Sequence, residues 1–328
     1  MIPPGNERDD DAAFAACRED WTLAPGKGRA WLKVAGPDAE EFLQRLLTSD
    51  ILALEIGAGQ WSALLDRKGR WVADLLAFRC GESSFGLDHP AIRSTALLEA
   101  LDRSHFAENL AWELEEWERT LILGPKGGDA LAEIGLNPPP SSGGCSIVRL
   151  DDDRWLIHRP DKGAPCLELF SPGNGPENFL AELRGRASAP AGKPVLETLR
   201  VAAFLPRFGR EFSAETILPE TGDWRRTSMT KGCYVGQEVV ARIRTYGQAP
   251  WRICSLQFSG QPPEKGAPLL DEAGNEVGKV TSSCLPPGKK NALGMGRIRR
   301  KAAEDGNRIL AVLGGQSIPV AAKPLSRD

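Results

Sequence analysis

The last 78 residues limit the fold most tightly. From Trp251 onward the chain offers only short alternating runs, "WRICSLQFSG", "PLLDEAGNEVGKVTSS", "NALGMGRIRR" and "RILAVLGGQSIPVAAK", broken by Gly- and Pro-rich turns. Strands this short and this closely spaced leave exposed edges unless the sheet closes on itself or packs against a second sheet. A small antiparallel barrel or sandwich is therefore predicted for the C-terminal part.

Upstream the pattern is mixed. "RAWLKVAG" (29–36) alternates as a strand does, and "PDAEEFLQRLL" (37–47) places Phe42, Leu43, Leu46 and Leu47 at helical spacing with Pro37 in the first turn. "QWSALLDRKGRWVADLLAFRC" (60–80) reads as two strands joined at Asp66–Gly69. A helix over 89–103 and alternating residues over 109–124 complete a first mixed unit. A hairpin over 146–159, a strand over 165–172, a helix over 176–187 and another after the linker 188–194 form a second. The expected class is α+β, with units at 1–124, 125–247 and a barrel at 248–328.

The formal charge of −3 gives no global argument for nucleic acid or an acidic membrane surface. With no apolar run of membrane-spanning length and a polar, acidic start unlike a signal peptide, a cytoplasmic protein without membrane partners is expected. Seven cysteines, an odd number, fit a disulfide framework poorly; no CxxC occurs, and the three histidines are scattered, so no local metal cage is encoded.

Three places could carry chemistry. Asp74 interrupts "RWVADLLAF", a strand apolar on both faces, so the carboxylate is expected to be buried or to line a pocket, and a buried carboxylate needs partners. It is either a strand-end acid capped by backbone amides or an acid facing a ligand. The Gly-, Pro-, Glu- and Arg-rich segment 206–224 is a long irregular stretch, in which Glu211, Glu215 and Glu220 could each contact a ligand. The third is "TSMTKGCYVGQEVVARIRTYG" (227–247). Val235, Val239 and Ile243 recur at i, i+4 and i+8, predicting a helix from Gly236 to about Arg244 with Gly247 as its stop. Cys233 then lies at the helix N-terminus near Lys231, where an exposed thiol would have a depressed pKa. Residues 225–252 hold six Lys/Arg against one Glu. From the residues alone Cys233 is either a reactive thiol or a structural one.

"KGCYVGQEVVAR" (231–242) resembles the signature of the YgfZ-type folate-binding proteins, relatives of the glycine-cleavage T-protein (aminomethyltransferase) linked to iron–sulfur cluster assembly and repair. Supporting similarity runs through "FLQRLLTSDI", "SALLDRKGRWVADLLAF" and "LRVAAFLPRFGREF", so that the resemblance covers essentially the whole chain. It implies a tetrahydrofolate pocket built by the two mixed units, with a barrel beyond them. Carried over by position, Cys233 matches the functional cysteine, and Lys231, Gly232, Tyr234, Gly236, Gln237, Glu238 and Arg242 match its motif partners. Asp74 falls where T-proteins carry a pocket aspartate. Glu220 in "LPETG" sits one place earlier than the pterin-binding Glu of their P-x-E segment.

The resemblance thus implies a reduced-folate-binding accessory protein that serves iron–sulfur enzymes or their cluster carriers, with Cys233 as the working thiol. A folate-dependent aminomethyl- or methyltransferase is the alternative within the same fold. An RNA-associated module using 225–252 and "RIRRK" (297–301) is the other, and it would show steeply salt-dependent RNA binding.

Overall fold

The computed structural model describes residues 7–140, 144–151, 154–160, 162–171, 177–247, 249–304 and 308–326. Two compact units partition the chain, one comprising residues 1–64 and 72–196, the other residues 65–71 and 197–328.

The first unit is built on one ten-stranded sheet. In chain order its strands are β1 (Thr22–Pro25), β2 (Arg29–Ala35), β3 (Ala58–Leu65), β4 (Trp71–Gly81) and β5 (Ser84–Pro90). They continue with β6 (Ala111–Glu115), β7 (Glu118–Leu123), β8 (Cys145–Arg149), β9 (Trp155–His158) and β10 (Cys166–Ser171). The spatial order is β1-β7-β10-β9-β8-β3-β4-β5-β2-β6. The two mixed stretches seen in the sequence therefore feed a single sheet. They are joined where Ala58 and Gly59 of β3 pair with Ser146 and Cys145 of β8. Helices α1 (Glu7–Glu19), α2 (Ala39–Leu46), α3 (Ser94–Ser104), α4 (Gly127–Ala132) and α5 (Glu177–Arg186) accompany the sheet, and α6 (Lys193–Ala202) crosses into the second unit.

Local expectations hold with three differences. Helix α2 starts at Ala39 after an Asp38 N-cap, so Pro37 precedes the helix rather than opening it. Residues 84–90 extend as β5, which moves the helix expected from 89 back to a 3-10 turn at Ala91–Arg93 and α3 from Ser94. Residue 176, the proline expected to open α5, lies outside the described residues. Apolar packing divides into one cluster around Trp21, Ile122, Leu131 and Leu167 and another around Trp31, Phe78, Ile147 and Phe170, where Trp31 stacks on Phe78 at 5.6 Å.

The second unit contains a closed barrel of order β11-β14-β13-β12-β15-β16. Its strands are β11 (Trp251–Phe258), β12 (Pro268–Leu270), β13 (Glu276–Cys284), β14 (Ala292–Arg299), β15 (Ile309–Leu313) and β16 (Gln316–Pro324). Closure pairs β11 with both β14 and β16, leaving no open edge along β11, and Leu256, Phe258, Leu269 and Ile298 fill the interior. Also in this unit lie the irregular segment 203–236 and α7 (Gln237–Tyr246). No helix among the described residues is long and apolar enough to cross a membrane.

Candidate functional site

The tip of the β3–β4 hairpin, residues 65–71, groups with the second unit. Its turn is set by Asp66, whose Oδ1 accepts from the backbone amides of Lys68 (2.8 Å) and Arg70 (2.9 Å) and whose Oδ2 accepts from Arg70 Nε (2.8 Å). Burial pushes this carboxyl up, but those donors outweigh it and hold it below the usual range. The tip is tied to the irregular segment by a bridge between Arg70 and Ile217. In addition, Gly69 O accepts from Leu218 N at 3.0 Å and Thr216 O from Trp71 N at 3.2 Å.

On its other side the tip meets α7. Gly236, the N-cap, sits at φ 83°, a left-handed conformation that costs any residue with a Cβ. A Cβ there would also lie 2.6 Å from the carbonyl oxygen of Asp66. Gly69, at φ +73°, likewise lets Val239 approach to 3.1 Å of where its Cβ would be. The start of α7, and the residues leading into it, are thus held by the hairpin tip.

In that leading segment Lys231 and Tyr234 are buried, with Lys231 Nζ 5.5 Å from the Tyr234 ring centroid, and burial pushes the Tyr234 hydroxyl up to about 12. Cys233 and Gly232 between them are exposed, and a Cβ on Gly232 would meet nothing within 4 Å. Cys233 precedes the N-cap by three positions, one turn short of the helix-terminal place expected for it. Gln237 opens α7 and is half-buried, while Glu238 and Arg242 are exposed. The buried stripe of α7 runs through Val240 and Ile243, not through Val235 and Val239, which are half-buried. The hairpin tip, packing on Val239 from the side, shifts the stripe by one position. Cys233 is the exposed member of seven free cysteines. Burial pushes the Cys17, Cys80 and Cys254 thiols up to about 12 and that of Cys284 to about 11.

The three glutamates of the irregular segment have different surroundings. Glu211 is a structural hub: its carboxylate takes Arg200 NH1 (2.9 Å), the Arg207 amide (2.8 Å) and Ser282 Oγ (2.6 Å), fixing the segment to β13. Glu215 is 82% exposed and pairs with Arg70, at 3.3 Å. Glu220, in a 3-10 turn at Leu218–Thr221, is 4% exposed, and its Oε2 accepts from Arg297 at 2.9 Å. Burial raises the Glu220 carboxyl, with Arg297 opposing. Near it in sequence, Asp223 binds Arg225 through two bonds (2.7 and 2.9 Å) and Arg226 at 3.1 Å. The Arg226 guanidinium lies over Trp71, which packs on Phe212 at a centroid distance of 4.7 Å. Trp71 Nε1 is buried with no partner among the described residues.

In the first unit Asp74 is 5% exposed on β4, with Arg29 NH1 4.0 Å away. Arg29 leads into a buried ionic cluster that the sequence did not reveal. Asp88 takes Arg29 Nε (2.6 Å), Arg119 NH1 (2.9 Å) and Arg159 NH1 (2.7 Å), and Glu168 takes Arg159 NH1 (2.7 Å) and Arg119 Nε (3.0 Å). The Arg119 contacts are close enough for ion pairs but misaligned as hydrogen bonds. Burial disfavours both carboxylates. The surrounding guanidiniums outweigh it, holding Glu168 below and Asp88 well below the usual carboxylate range. Arg119 lies on β7, Glu168 on β10 and Asp88 on β5, and Arg159 follows β9, so these charges meet only once the sheet has formed.

Residues 10–137 match the family described as the GCVT N-terminal domain. The aminomethyltransferase of Saccharopolyspora erythraea is 26% identical over 307 residues, covering 88% of this chain and 82% of that protein. That of Rubrobacter xylanophilus is 28% identical over 271 residues, covering 80% and 72%. A putative chloroplastic transferase of Arabidopsis thaliana is 36% identical over 141 residues, 43% of this chain; that match spans only 32% of the plant protein. Among solved structures, the glycine cleavage system aminomethyltransferase T of Bartonella henselae superposes with a TM-score of 0.87 at 22% identity, over 95% of this chain and 88% of that one. Residues 10–137 are thus similar to the GCVT N-terminal domain, and the chain has the fold of that aminomethyltransferase structure.

Proposed function

We propose that this protein binds tetrahydrofolate, or another reduced folate, and acts as a folate-dependent one-carbon transferase of the aminomethyltransferase type. The observation that carries this reading is similarity to aminomethyltransferases across most of the chain, coinciding with a buried acid, Asp74, in the otherwise apolar stretch 71–78 of β4. A pterin presents an exocyclic amine and a ring N–H side by side, and an ionised carboxylate accepts both. Asp74 is the acid assigned to that edge. Glu220, buried and one place earlier than the pterin-binding Glu of the T-protein P-x-E segment, is a second candidate for a folate contact, considered separately from Asp74. The remaining motif residues, Lys231, Gly232, Tyr234, Gly236, Gln237, Glu238 and Arg242, act in this reading by shaping the segment that presents Cys233. Bound folate would supply the one-carbon carrier, and the chain's own residues bind and orient it.

The test has two arms. Tetrahydrofolate, 5-methyl- and 5-formyltetrahydrofolate are screened by thermal unfolding, where a ligand at 100 times its Kd stabilises by about 2.7 kcal/mol. Transfer from an aminomethylated donor to free tetrahydrofolate is then followed by product analysis. The absence of a shift with any reduced folate at millimolar concentration removes the folate reading, and binding without turnover removes the transferase.

One observation favours a second reading. Cys233 is exposed while the other cysteines are buried or half-buried, and it lies within the KGCY motif at 231–234. The accessory role in iron–sulfur enzyme maturation is the function that motif suggests. It predicts that Cys233→Ala abolishes activity of a cluster-dependent enzyme in cells lacking this protein, with folate affinity kept. Full rescue by the variant rejects it.

A further inference from the structure

The second unit exposes few large apolar side chains, and where they fall is informative. Among its described residues two are exposed, Met229 at 49% and Tyr246 at 71%; the remaining exposed large apolar side chains all belong to the first unit. Met229 and Tyr246 bracket the Cys233 segment and α7. On α7 the exposed residues Glu238, Arg242 and Tyr246 follow at i, i+4 and i+8, opposite the buried Val240 and Ile243. Arg244 is also exposed and lies over Trp224 at 4.5 Å, which sets segment 224–234 beside the helix. The hairpin tip adds Arg67 and Lys68, both exposed, next to Gly69, where the tip packs on Val239. Among the described residues four exposed cations, Arg67 and Lys68 on the tip and Arg242 and Arg244 flanking the solvent side of α7, therefore stand against the exposed carboxylates Glu238 and Glu215, the latter paired with Arg70, on a chain whose net charge is −3.

Arginine, tyrosine and methionine are the residues enriched at protein interfaces. A solvated basic stripe would have no reason to present Met229 and Tyr246 with it, and a phosphate backbone has little use for a methionine. We infer that this face docks an acidic protein surface and presents Cys233 to it. Apolar contact with Met229 and Tyr246 holds the partner, and the cations steer its approach. The inference is independent of folate binding.

Cys233 serves as the reporter. The probes are three synthetic ten-residue peptides, alternately Glu, Lys or Ser around a central Leu, each ending in a cysteine activated as its 2-pyridyl disulfide. The Cys233 thiolate attacks the peptide sulfur, forming a protein–peptide disulfide and releasing pyridine-2-thione, whose absorbance gives the rate; Cys233→Ser sets the background. At low ionic strength the Glu peptide is expected to react at least about tenfold faster than the Lys peptide, with the Ser peptide between them, and the ratio should collapse at 0.5 M salt. Arg67→Glu with Lys68→Glu, two exposed tip positions whose turn rests on Asp66 and Gly69, should cut the ratio severalfold. Met229→Ser with Tyr246→Ser should slow the Glu peptide while leaving its salt dependence. Equal rates for the Glu and Lys peptides, or no response to the charge reversal, overturn the inference. So does polyuridylate competing against the Glu peptide more strongly than polyglutamate of equal charge, which would make the occupant RNA.

Discussion

Gly236→Ala tests whether the hairpin tip really sets the position of the Cys233 segment. Gly236 has φ 83° and ψ 0°, so an alanine there costs about 1–2 kcal/mol for the left-handed backbone alone. Its Cβ would meet Asp66 O at 2.6 Å and the Gly69 Cα at 3.2 Å. Both are backbone atoms of the tip, which cannot swing aside as a side chain does, and such overpacking adds roughly 1–3 kcal/mol. A total near 2–5 kcal/mol is expected, relieved in part by the tip and the helix start moving apart. Gly232→Ala, in the exposed approach to the helix and with open space around its Cβ, should stay within about 0.5 kcal/mol of wild type. The assays are urea unfolding and the rate of Cys233 alkylation under native conditions. Gly236→Ala should shift both, and Gly232→Ala should leave the unfolding midpoint unchanged. A Gly236→Ala protein as stable as wild type, alkylating at the wild-type rate, would refute the claim that the tip and Cys233 are mechanically linked.

Iodoacetamide at pH 8 should modify one thiol in the native protein and none in Cys233→Ser, because burial holds the Cys17, Cys80, Cys254 and Cys284 thiols protonated; mass spectrometry counts the adducts. Arg159→Met removes a guanidinium that bridges Asp88 and Glu168 at 2.7 Å each, and leaving buried carboxylates short of a partner should cost about 3–5 kcal/mol by urea unfolding. Since Asp88 and Glu168 both ionise below the usual carboxylate range when folded, the stability they lend is complete above pH 5 and falls as pH drops through their native-state values; urea midpoints measured from pH 7 to pH 3 should trace that loss. Glu220→Gln should weaken reduced-folate binding by titration calorimetry without lowering stability at pH 8, since burial already disfavours the ionised form in the folded protein. Asp74→Asn should likewise weaken folate binding, and unchanged affinity would return Asp74 to a structural role.

The sequence by itself determined what depends on short range. A small closed or two-layered antiparallel unit at the C-terminus follows from strand length and turn spacing, the β3–β4 hairpin from the Asp66–Gly69 turn, and the end of α7 from Gly247 at φ 66°; that the unit closes as a barrel was decided by strand pairing. The burial of Asp74 follows too, because a strand apolar on both faces leaves a carboxylate nowhere else to go. Tertiary structure decided whatever depends on which strand lies beside which. Nothing local in Ala58–Gly59 or Cys145–Ser146 marks them as partners, yet their pairing turns two mixed stretches into one sheet. The folded sheet also buries Arg119, Arg159, Asp88 and Glu168, which come from separate stretches of the chain, and makes them neutralise one another. Glu211 could not be told from Glu220 in sequence, since each is a glutamate in an irregular segment; the barrel hydroxyl of Ser282 and the guanidinium of Arg200 make one a hub, whereas the other accepts from Arg297. On α7 the periodicity pointed to Val239, but a neighbouring hairpin covers that flank and the core takes Val240 instead. Periodicity records which side of a helix is apolar, whereas the surface that covers that side is supplied by residues distant in the chain.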